Sequence, residues 1–132
     1  MTPFENLYYA IGELAYAVAR ADGALQKEER QKFHNIVAAG LRSHNYCFDI
    51  SGIIFDMMDK DQPSSDLSYE WAMKQIRMNS HYLSPALKQT FINVMEKVAK
   101  AYPPVTNEEK DLLDQFRKDI EPLHGDPVYY NS

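Results

Sequence analysis

Cysteine and long apolar runs are scarce in this chain. Cys47 is the only cysteine among 132 residues, which excludes an internal disulfide and favours a reducing compartment. No stretch approaches the roughly 18 consecutive apolar residues that a membrane-spanning helix needs, and the first residues lack the basic and then apolar pattern of a signal peptide. We therefore expect a cytoplasmic protein without a transmembrane segment.

Clusters of basic residues are also missing. The chain has 19 acidic and 14 basic side chains, a net charge of −5, and no run of lysine or arginine. Because cationic side chains drive binding to a phosphate backbone, this balance argues against nucleic acid as the main ligand. An acidic surface suits cations or basic partners better, although it also serves solubility alone.

The familiar catalytic motifs are absent as well. No glycine-rich phosphate loop, Gly-x-Ser-x-Gly or His-Glu-x-x-His is found. His44 and Cys47 are three residues apart, but no second pair lies nearby in sequence to complete a zinc site. Cys47 stands between Tyr46 and Phe48, so we expect it to fill an apolar gap rather than to act as a nucleophile. The sequence favours a protein that is not an enzyme.

The residues that are present indicate helices throughout. Apolar residues make up 45% of the chain and recur at spacings of three and four, and no strand-like alternation extends over six residues. The pattern predicts an all-α fold, one domain over 1–132, with a less regular tail over 123–132. Trp71 and most of the methionines fall at helical spacing and are expected in the core. The predicted helices, about six in a compact bundle, run from Pro3 towards Asp22, Lys27 to Leu41, Asp49 to Lys60, Asp66 to His81, Pro85 to before Pro103, and after Thr106 to about Glu121.

An internal repeat links the two ends of the chain at an offset of 80 residues. The segment 18–21, Val-Ala-Arg-Ala, returns at 98–101 as Val-Ala-Lys-Ala, and the paired glutamates 28 and 29 return at 108 and 109. Each copy is a helix, a short turn and a second helix that begins with acidic residues. Two such hairpins commonly pack about an approximate twofold axis, which would bring their turns together.

The start of each second helix carries a capping signal. Thr106 and Glu109 form a capping box, and by correspondence Glu29 can bind the backbone at the start of its own helix. The two copies differ in the turn, since Asp22-Gly23-Ala24 of the first is replaced by Tyr102-Pro103-Pro104 in the second. Only the first copy keeps the aspartate.

The segment from Ala17 to Arg30 resembles the signature of the tellurite-resistance TerB-like family: an alanine-rich helix, Ala-Asp-Gly, an apolar residue, and a glutamate that opens the next helix. The second copy is similar to the weaker second motif of that family. The resemblance implies an all-helical bacterial cytoplasmic module associated with tellurite and other stress responses, with acidic residues that bind a divalent metal. By position, the metal ligands it implies are Asp22, Glu29 and Glu109, followed by Glu28 and Glu108.

Two interpretations of these acidic residues stay open at this point. A calcium-binding EF-hand loop is excluded, because its first and third positions would be Val18 and Arg20. Either a looser oxygen site shared between the two motifs binds calcium or magnesium weakly, or the acidic residues only shape helix ends. In the second case the chain is a structural interaction domain whose partners dock on an apolar groove. A protein partner is expected in both cases, its identity is not given by the sequence, and a homodimer is left open.

Overall fold

The computed structural model describes residues 1–131, and all the regular structure within them is helical. Ser132, the last residue of the expected tail, lies outside the described part. The all-α prediction is confirmed, with helix bounds close to the expected ones. The helices are α1 Pro3–Ala19, α2 Lys27–Arg42, α3 Phe48–Asp61, α4 Ser65–Met78, α5 Pro85–Lys100, α6 Asn107–Ile120 and α7 Pro127–Tyr130, with a short 3-10 helix at Ser80–Tyr82.

Helix α1 is the central element of the bundle. Its residues from Leu7 to Ala19 are all buried apart from Tyr9, which is half-buried. It contacts α4 and α3 most extensively and also touches α5, α6 and α2. The alanines and the glycine of α1 allow this many neighbours, because small side chains let helix axes approach closely. The core therefore surrounds α1 on nearly every side.

Local signals explain where α1 and α6 begin. Thr2 and Glu5 form a reciprocal capping box, with Thr2 N donating to Glu5 Oε1 at 2.8 Å. Pro3 follows the cap, where its missing N–H costs nothing. Thr106 and Glu109 form the second capping box, as the sequence predicts.

The expected core positions on α3 and α4 are partly wrong. Met58 and Met73 are buried, but Trp71, Met57 and Met78 are 43%, 53% and 65% exposed. Both helices carry apolar residues on more than one face, and the spacing alone does not tell which face turns inward. An apolar strip on α4 is therefore left on the surface.

The tail, expected to be less regular than the rest of the chain, includes one short helix. This helix, α7, begins where Asp126 Oδ1 accepts the N–H of Val128 at 3.0 Å and Pro127 occupies the first helical position. The Tyr129 ring lies 5.1 Å from the ring of Tyr82, centroid to centroid. The tail therefore returns to the body of the bundle.

No helix among residues 1–131 is both long and apolar enough to cross a bilayer.

Candidate functional site

The turn that follows α1 has the geometry expected of Asp-Gly. Gly23 has a φ of 92°, a left-handed conformation that glycine adopts without a steric penalty. The exposed Asp22 closes the turn through its own side chain, since Oδ1 accepts the N–H of Ala24 at 3.1 Å. The aspartate is thus already used in shaping the turn.

Glu29 and Glu109 cap their own helices in matching ways. Glu29 Oε1 accepts the N–H of Gln26 at 3.0 Å. Glu109 Oε1 accepts the N–H of Thr106 at 3.1 Å and the hydroxyl of Thr106 at 2.9 Å. Helix N-termini favour negative charge and need acceptors for their free N–H groups. These three hydrogen bonds therefore involve one oxygen of each carboxyl group.

The fold brings these two glutamates together, one from each copy of the repeat. Both side chains are buried, with 2% of each residue exposed. Burial is the main reason why the pKa of Glu29 is raised to about 8, and the hydrogen bond to Glu109 and the charges of Glu109 and Asp22 act in the same direction. Held protonated, Glu29 can donate a hydrogen bond to Glu109, whose buried Oε2 has no other hydrogen-bond partner. We call this contact the Glu29–Glu109 pair.

The neighbouring glutamates of the predicted set do not join the pair. Glu28 lines a groove between α2 and α5 together with several lysines, among them Lys27 and Lys97. Glu108 lines a shallow groove with Asp66 and Asp111, at the N-terminal ends of α4 and α6. Successive helical residues point in different directions, so adjacency in sequence does not place them at one site.

The Glu29–Glu109 pair provides two carboxyl groups, and no preformed metal cage surrounds it. Within residues 1–131, no three His, Cys, Asp or Glu side chains converge closely enough to hold an ion. Asp22 acts on Glu29 through its charge, while its carboxylate serves the turn. A cation bound by the pair would complete its coordination with water, as calcium and magnesium commonly do.

A third buried carboxyl group, Glu13, was missed by the sequence reasoning. It lies on α1 between Gly12 and Leu14, is 5% exposed, and has no hydrogen-bond partner for its Oε1. Burial raises its pKa to about 7. The available signal was a single glutamate within a stretch of α1 whose neighbours are apolar or small.

Comparison of the chain with models of protein families, with curated proteins and with solved structures finds no match.

Proposed function

We propose that the protein is a non-enzymatic, TerB-like helical module in which the Glu29–Glu109 pair binds a divalent cation weakly. The observation that carries the proposal is the contact between two buried carboxyl groups without a cationic side chain beside them. None of the ion pairs of residues 1–131 includes either glutamate. A calcium or magnesium ion would supply the positive charge that only a shared proton supplies otherwise.

Weak binding follows from the surroundings of the pair. A cation must displace the proton of Glu29 and compete with the N–H groups that both carboxyl groups already accept. Metal affinity at carboxyl ligands rises with pH for the same reason, since the ligand must be deprotonated. Occupancy is therefore expected to increase as the pH passes the pKa of Glu29, about 8.

Thermal melting of chelator-treated protein tests this proposal directly. Millimolar calcium, magnesium or manganese should raise the Tm at about pH 8.5, and at a tenfold excess over Kd the gain is about 1.4 kcal/mol. For a chain of this size this corresponds to roughly 4–6 °C. The Glu29→Gln and Glu109→Gln variants should lose the metal-dependent rise.

Matched controls come from the neighbouring residues. Glu28→Gln and Glu108→Gln remove the same charge next to the pair and should keep the full metal response, while Asp22→Asn should reduce it through the lost charge. A melting temperature that no ion changes would contradict the proposal, and so would an unchanged metal response in Glu29→Gln.

A second candidate function is an interaction domain without a metal site. It is favoured by the hydrogen bonds in which Glu29 and Glu109 already cap α2 and α6. In this case the pair only holds the two repeats together, and the partner docks elsewhere on the surface. The melting experiment separates the two candidates, because a purely structural contact predicts no response of the Tm to metal ions.

A further inference from the structure

A groove separates the outer faces of α1 and α4, on the side of the bundle that carries Trp71. Its volume is about 540 Å³, within the range of pockets that hold small ligands or single side chains. The groove is lined by Tyr9 and Glu13 from α1 and by Trp71, Lys74, Gln75 and Met78 from α4.

Glu13 gives this groove a buried carboxyl group whose hydrogen bonding is incomplete. Only 5% of the residue is exposed, and its Oε1 has no hydrogen-bond partner. Glu13 also belongs to none of the ion pairs of residues 1–131. A buried carboxylate is costly unless a cation or several donors compensate it. Neither Lys74 nor Gln75, two donors from α4 that line the groove, bonds Oε1 of Glu13, so this oxygen can accept from a further cationic or donating partner.

The walls of the groove suit a cation on an alkyl stem. Tyr9 is half-buried, Trp71 is 43% exposed and Met78 is 65% exposed. Aromatic ring faces attract ammonium and guanidinium groups. The methylenes of lysine or arginine contribute favourable binding free energy when they pack on apolar surface, while the charged end of the side chain reaches a carboxyl group.

The apolar surface continues along α4 beyond the groove. Leu67 is 40% exposed and stands four residues before Trp71, on the same helical face as Met78. A small free cation would leave this strip uncovered, whereas a protein segment that inserts a basic side chain would cover it. The net charge of −5 also favours a basic partner.

We propose that the groove between α1 and α4 is a docking site for a protein partner that inserts a lysine or arginine side chain against Glu13 and Trp71. The rest of the partner segment covers the apolar strip of Leu67 and Met78. Lys74, the only basic residue that lines the groove, opposes this cation and weakens the binding. The site lies on other residues than the Glu29–Glu109 pair, so the proposal does not depend on metal binding.

Trp71 is the only tryptophan of the chain, so its fluorescence reports on the groove without a label. The probe is a short amphipathic helical peptide of alanine, leucine and glutamine with one central lysine. It should change the Trp71 emission in a saturable way. The same peptide with norleucine in place of lysine should bind about tenfold more weakly or worse, since it lacks the charge-assisted contact.

Four variants locate the interaction. Glu13→Gln should lose the preference for lysine over norleucine, while Glu70→Gln, which changes an exposed glutamate of α4, should keep it. Lys74→Gln should bind the lysine peptide several-fold more tightly, because a like charge is removed. Leu67→Ser should weaken binding of the peptide but leave binding of Nα-acetyl-lysine amide, which keeps the side-chain ammonium, unchanged.

The outcomes decide the proposal. Equal binding of the lysine and norleucine peptides, or full lysine preference in Glu13→Gln, would overturn it. Nα-acetyl-lysine amide that binds as tightly as the peptide would overturn the protein partner in favour of a small free cation. If Glu13→Gln were misfolded by circular dichroism, the Lys74→Gln result would decide, and unchanged affinity there would count against the cation.

Discussion

The Glu29→Gln variant is expected to be more stable than the unsubstituted protein at about pH 9, by roughly 2–4 kcal/mol. Glu29 is buried against Glu109, and its pKa is raised from 4.5 to about 8. Glutamine keeps the shape of the protonated carboxyl group. Its amide can donate to Glu109 while its oxygen still accepts the N–H of Gln26. The glutamine therefore imitates the neutral, protonated form of Glu29 at every pH.

The direction of the pH dependence follows from the two pKa values. The folded chain holds the Glu29 proton up to about pH 8, whereas the unfolded chain releases it near 4.5. The stability that this group contributes is fully present below 4.5 and falls as the pH rises towards 8. Glutamine does not titrate, so the advantage of the variant should be small at about pH 5 and grow up to about pH 9.

Urea denaturation between about pH 5 and pH 9 measures this difference. Glu28→Gln is the matched control, because it removes the same charge from the adjacent residue, which faces the lysine-lined groove. Its stability relative to the unsubstituted protein should not grow in the same way with pH. Parallel curves for Glu29→Gln and the unsubstituted protein would show that the two carboxyl groups do not share a proton.

Much of the fold follows from the sequence for identifiable physical reasons. Proline and threonine at Thr2-Pro3 mark the start of α1, and Thr106 with Glu109 marks the start of α6, because these signals act within one turn of the chain. The repeat also led to the expectation that its two turns lie close together. The contact between Glu29 and Glu109 agrees with that expectation, whereas the TerB-like assignment itself stays a prediction.

Other features depend on packing that sequence spacing does not contain. Glu13 lies on α1, which contacts α3 and α4 most extensively, so its burial depends on how segments distant in the sequence pack around this helix. Trp71 was expected inside because its spacing fits an inward stripe, yet α4 turns Ala72, Met73 and Ile76 towards the core instead. A helix with apolar residues on two faces has two orientations of similar local character, and only its neighbours select one.

Gly12→Ala is expected to destabilise the protein by roughly 2–3 kcal/mol. A Cβ at Gly12 would lie 2.5 Å from the backbone oxygen of Ser51 and 3.1 Å from Cβ of Ile54. The Ser51 hydroxyl donates to the backbone oxygen of Tyr8 at 2.6 Å, which fixes α3 against α1 at this crossing. Because backbone atoms cannot move aside as a flexible side chain does, the two helices must separate to admit the methyl group.

Gly52→Ala is the matched control for this substitution. Gly52 is also a helical glycine, but a Cβ there would meet only the side chain of Val37, at 3.3 Å from its Cγ1. The gain in helix propensity, up to about 1 kcal/mol, should offset this contact and leave stability unchanged or slightly raised. Urea midpoints of the two variants measure the contrast. If Gly12→Ala were as stable as Gly52→Ala, the close backbone approach of α1 and α3 would be wrong.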